Sequence, residues 1–235
     1  MSLNPDYFKR VARQPKTWAV TGGVTLAAAL IVGGAIYLLS LPRFLDGETV
    51  LAHARAVPDA PLGNMYESGI PFDVSFRSHI FLKKDAQGWH CVGFTFATAW
   101  AIFEEEGHFS KTYVDDILLF QEDWYNATEP SKEKGCVYAM QHYGVGKEIP
   151  LAEAQPGDFL QLWRNTTAGH QVVFLDWARN EQGGIVGIRY LGAQGYVTGV
   201  EENTEYFEGT GISTATLIPE RCYAGRLYTR RHAKN

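Results

Sequence analysis

The sequence predicts an α+β domain that follows one membrane-spanning helix. Three observations predict it: a long uncharged apolar run near the N-terminus, three segments with helical spacing, and strand-like alternation after Gly146. The chain has 235 residues, 46% of them hydrophobic and 13% aromatic. Such a composition supports a packed core and excludes a disordered chain.

The apolar run is Trp18 to Leu41, WAVTGGVTLAAALIVGGAIYLLSL, without a charge. A bilayer core takes about 20 helical residues. A cleaved signal peptide fits less well, since its apolar region is shorter and ends at a small-residue site that LSLPRFL lacks. Lys9, Arg10, Arg13 and Lys16 precede the run. The positive-inside rule then places residues 1–17 in the cytoplasm as a basic tail, 18–41 in the bilayer, and the large domain in the periplasm or another extracytoplasmic space. These four are among the 21 Lys and Arg of the chain, against 26 Asp and Glu. The remainder is acidic and carries no basic stripe, so nucleic acid is excluded as an expected partner.

Residues 42–75 read as a tether and lead-in, because AVPDAPLGNMYESGIPFD is rich in Pro and Gly and keeps no period. The domain proper is expected over 76–235. VSFRSHIFL alternates as a strand or extended arm. Three helices should follow. One runs from Cys91 to Gly107. The next starts after Ser110 as N-cap, with Val114, Ile117, Leu118, Gln121 and Trp124 on one face. The last runs from near Ser131 to Gly144. PGDFLQLW, GHQVVFLDWA and IVGIRYLGAQ read as strands, the last two joined by an NEQGG hairpin turn. TATLI and GRLYTRR are further strand candidates.

Cys91 stands where a loop becomes a helix. The helix N-terminus and a nearby imidazolium both lower a thiol's pKa, and the thiolate is the nucleophile. His170 is the histidine that opens the most apolar strand, just after Gly169. His79 in the arm stays open as an alternative, and so does the reading of His170 as a satisfied edge residue. A third group normally accepts from the other ring nitrogen. Gln194 ends the returning strand and falls near the open end of the same hairpin. Asp176 and Asn180 fall further away.

A Cys at a helix start, PGD leading a strand, GH opening an apolar strand and a polar residue on the next strand together resemble the papain-like cysteine amidases and peptidases of the NlpC and CHAP kind. The resemblance covers residues 85–200. It implies a papain-like fold, helices packed on an antiparallel sheet, with Cys91 as nucleophile, His170 as base and Gln194 as orienting residue. It implies amide hydrolysis without a cofactor, commonly in peptidoglycan stem peptides of the cell wall. QGWHC also resembles the glutamine-glycine approach to the papain cysteine, which makes Gln87 a candidate oxyanion donor. HCVG departs from the small-residue pair usual around the cysteine in the cell-wall enzymes.

Cys136 and Cys222 remain. A disulfide between them suits an extracytoplasmic space and leaves Cys91 as the free thiol; two buried free cysteines are the alternative. Two classes of function follow. One is a membrane-anchored cysteine amidase or endopeptidase, with acyl transfer as a variant. The other is a catalytically lapsed scaffold domain of the same fold, offering Tyr196, Tyr206 and Phe207 to a partner.

Overall fold

A computed structural model describes residues 43–61, 68–85, 88–110, 112–195 and 199–229. They lie in one unit, Pro42–Asn235. Helix α1 (Gly47–Arg55) comes first, then a hairpin of β1 (Val74–Phe76) and β2 (His79–Leu82). Helices α2 (Cys91–Glu106), α3 (Val114–Trp124) and α4 (Cys136–His142) follow. Six strands complete the order: β3 (Gly146–Ile149), β4 (Phe159–Trp163), β5 (Gly169–Arg179), β6 (Ile185–Gly195), β7 (Gly199–Tyr206) and β8 (Tyr223–Leu227). They form one antiparallel sheet in the order β3-β8-β4-β5-β6-β7. The architecture is α+β.

The expected membrane-spanning helix is not shown. Among the described residues no helix is long and apolar enough to cross a membrane, and the Trp18–Leu41 run lies outside them. The apolar helix α2 has 16 residues, short of a bilayer span, and most of its apolar side chains are buried in protein. The single-pass, extracytoplasmic localisation is corrected with it, while the bilayer as partner rests on the same run outside the described residues.

Helix α2 is the centre of the first core. Phe94, Phe96, Ala99, Ile102 and Phe103 are all buried, so the helix is apolar nearly all round, as a helix enclosed by protein is. Trp100 stacks on Phe96 at 5.8 Å and meets Phe81 of the hairpin at 4.9 Å. The hairpin turns through Arg77 and Ser78, both at positive φ, which matches the right-handed twist of its strands. Gly107, at φ 64°, ends α2 in the left-handed cap that favours glycine.

Several expected boundaries move. The tether is not all tether, because Val50, Leu51 and Ala54 of α1 are buried in the first core. The N-cap of α3 is Tyr113, not Ser110, and Leu118 is exposed while Phe120 is buried in its place. TATLI forms isolated bridges at Leu217 and no strand. Strands β3 and β7 were not expected: β7, GVEENTEY, is too polar to show an apolar alternation. Phe207 of the suggested partner surface is buried and Tyr196 lies outside the described residues.

The two sheet faces carry different cores. Phe159, Val173, Leu191 and Ala193 face the helices, with Cys136 of α4. Leu160, Leu162, Val172, Phe174, Ile188 and Tyr190 form a second core on the other face, under loop residues Ala154, Phe207 and Leu217, with Cys222. This division corrects the disulfide. Cys136 and Cys222 are both free and belong to cores that the sheet separates.

Candidate active site

Cys91 is the first residue of α2, and His90 is its N-cap. The His90 ring accepts a hydrogen bond from the Gly93 amide through Nδ1 at 3.1 Å, so this histidine is a cap. The lead-in loop closes over that turn: the His90 amide donates to Gly69 O at 3.1 Å, and Tyr125 Oη donates to Ser68 O at 2.7 Å. The approach leaves no room for a side chain at Gly93, where an added Cβ would lie 2.1 Å from Gly69 O. Gly93→Ala should therefore cost about 2 kcal/mol through overpacking, read as a lower denaturant midpoint at unchanged slope.

Cys91 is half-buried. Burial pushes its pKa up. Backbone amides of Gln171, Val92 and Cys91, and the charge of Arg164, act in the opposite direction. Two of these amides belong to the open first turn of the helix, whose N–H groups have no partner within the helix.

Strand alternation decides what else is near. Gln171 faces the helices: its Oε1 accepts from Thr95 Oγ1 at 2.8 Å, and its Nε2 donates to Trp124 O at 2.8 Å and to Asn126 Oδ1 at 2.9 Å. His170, one residue earlier, turns to the opposite face and packs on the Tyr190 ring at 5.5 Å. The backbone amide of Gln171 acts on the Cys91 thiol from the helix side of β5, whereas the His170 ring lies on the far side of that strand, with Tyr190. No hydrogen bond joins thiol and ring among those described. The expected ion pair is corrected as well. Burial, and after it the Arg164 guanidinium, brings the His170 imidazole down to about 4, with Glu205 and Gln194 pulling the other way. Thiol and ring both rest neutral.

This shift has a sign that can be checked. A free histidine titrates near 6.5, so above that pH both folded and unfolded chains hold a neutral ring. As pH falls from 6.5 through 4 the unfolded chain takes the proton first, and stability drops by roughly 3 kcal/mol. His170→Gln should remove that share of the acid destabilisation, seen as a flatter plot of unfolding free energy between those pH values.

Behind His170 runs a polar network that the sequence does not reveal. Tyr190 Oη is 2.7 Å from Gln194 Oε1 and also hydrogen-bonds Glu205 Oε1. Arg164 grips both oxygens of Glu205, at 2.6 Å through Nε and 2.5 Å through Nη2. Gln194 is close enough to His170 to favour the imidazolium. Yet His170 Nε2 and Gln194 Nε2 are both buried without a hydrogen-bond partner among the described residues. Asp176 and Asn180 are occupied elsewhere, on Trp177 N and in the hairpin turn.

Gln87 lies outside the described residues. His170 and Gln194 lie at one end of the β5–β6 pair, with His170 turned from the helices, while Cys91 starts α2 on the helix side; Cys136 is buried in the first core, and Cys222 sits in the second. Among the described residues no group of three His, Cys, Asp or Glu side chains is placed to hold a metal ion. Sequence reasoning missed Gln171, Tyr190, Glu205 and Arg164. One signal was available for Gln171: it and Gln161 interrupt two apolar strands at positions that pair in the sheet. Comparison with protein-family models, curated proteins and solved structures finds no match.

Proposed function

We propose that this protein is a cysteine-dependent amidase or endopeptidase that works through an acyl-enzyme at Cys91. The observation that carries the reading is the thiol on the open first turn of α2, where burial raises its pKa and backbone amides of Gln171, Val92 and Cys91 oppose that rise. Cys91 Sγ attacks the carbonyl carbon and an S–C bond forms. The thiol proton passes to the His170 imidazole, whose ring must first turn toward the helix side of β5. The C–N bond then breaks and His170 returns the proton to the leaving amine. The amides of Cys91 and Val92 are the natural donors to the developing oxyanion. Gln194 orients the imidazole from behind. Water, activated by the same histidine, releases the acid; an amine in its place gives acyl transfer.

The substrate class is the one the resemblance implies, the stem peptides of peptidoglycan. The test is mass analysis of purified muropeptides after incubation with the full chain. Gain of one water across an amide, lost in Cys91→Ala, supports hydrolysis; a new amide without water gain supports transfer. If Cys91 is neither acylated nor labelled by a small thiol reagent, the lapsed scaffold reading replaces this one. The neutral resting pair is the observation that favours that second reading.

A further inference from the structure

The geometry points to Glu205 as a positioning residue that acts on His170 through Tyr190 and Gln194 and sets which ring nitrogen is free to take a proton. This rests on the proposed role of His170. The argument starts from the two orphaned atoms, His170 Nε2 and Gln194 Nε2. A buried polar atom without a partner is costly, and two in contact range are rarely left so. Oxygen and nitrogen of a glutamine amide are told apart only by their hydrogen bonds. A half-turn of the Gln194 amide satisfies both atoms at once. Gln194 Oε1 then accepts from His170 Nε2–H, and Gln194 Nε2 donates to Tyr190 Oη.

The direction of the rest is forced. Tyr190 has one hydroxyl proton, and its two neighbours are Gln194 and Glu205. With Gln194 donating to Oη, that proton goes to the Glu205 carboxylate. Glu205 is an acceptor only, held ionised by Arg164, whose bidentate grip and charge lower its pKa against the burial that raises it. Every donor in the line from His170 to Glu205 therefore points one way. The carboxylate and guanidinium side chains are only 13% and 24% exposed, so the pair is screened little. The consequence is a His170 ring held as the Nε2–H tautomer. Nδ1 is left with a bare lone pair. Gln194 carries no charge of its own; the charge that stabilises the imidazolium formed during attack comes from Glu205.

Long-range 1H–15N spectra of the imidazoles in the full chain test this near pH 7, where the ring is neutral. Wild type should show His170 protonated on Nε2. Tyr190→Phe keeps the ring that packs on His170 and removes the hydroxyl. It should give a mixture of both tautomers and slow acylation of Cys91 by an activated ester about tenfold. Glu205→Gln keeps an acceptor for Tyr190 but not the charge. It should hold the Nε2–H tautomer and move the His170 titration to lower pH. A wild-type proton on Nδ1, or a Tyr190→Phe protein with unchanged tautomer and unchanged acylation, overturns the inference. An Nε2–H signal that responds to Tyr190→Phe in a chain whose Cys91 never acylates upholds it and overturns the enzyme reading.

Discussion

Cys91→Ala is expected to lower amide turnover by at least about a thousandfold, because Cys91 is the half-buried thiol on the open first turn of α2, whereas Cys136 and Cys222 are buried. His170→Ala should cost about 10²–10⁴, the usual worth of a positioned general base. The two losses should not add: once the thiol is gone, the base has nothing to deprotonate, so the double variant should match the Cys91 single variant. Gln194→Ala should retain partial activity, since it orients the ring and carries no proton. Steady-state assays on the muropeptide or activated-ester substrate read all four. The fold should survive Cys91→Ala, because the residue is on the first turn and only half-buried. Equal turnover by wild type and Cys91→Ala would remove the nucleophile from the account.

The largest stability effect should come from Gln171→Leu, expected to cost about 3 kcal/mol. The side chain is fully buried and makes three hydrogen bonds to three elements' worth of chain: Thr95 on α2, Trp124 at the end of α3, and Asn126 beyond it. A leucine fills much of the volume but leaves the Trp124 carbonyl and the Asn126 Oδ1 without that donor in a dry interior. Asn126 in turn contacts Gln161 and the Ser131 and Lys132 carbonyls, so the loss should spread into the loop before α4. The same residue's backbone amide lowers the Cys91 pKa against the burial that raises it. Alkylation of Cys91 should change in Gln171→Leu even at temperatures where the variant is folded. Urea unfolding combined with that labelling rate checks both halves. A midpoint within experimental scatter of wild type would show that the network carries little stability.

These two residues mark how far the sequence could be read. Cys91 was legible because its signal is local. The apolar spacing from Val92 to Phe103 and the closing Gly107 define one helix, and the cysteine is at its start. The GHQVVFLDWA and IVGIRYLGAQ runs with NEQGG between them likewise define one hairpin, so His170 and Gln194 could be placed at a common end. Gln171 was visible only as a polar letter in an apolar run. Its importance comes from α2 and α3, whose positions relative to β5 no local pattern states.

By itself, then, the sequence determined the α+β order, the helix that begins at Cys91, the β5–β6 hairpin and the set of residues gathered at its open end. Spacing and turn chemistry act over a few residues, and those features need nothing further. Only the tertiary structure decided that α1 belongs to the core, that polar β7 is a strand, and that Cys136 and Cys222 are kept apart by the sheet. It alone turned Gln171 to the helices and His170 away from them. It alone brought Arg164, Tyr190 and Glu205 together from three separate stretches of chain. The physical reason is strand register. A period of two leaves each side chain a choice between two faces, and that choice is made by pairing with strands distant in sequence.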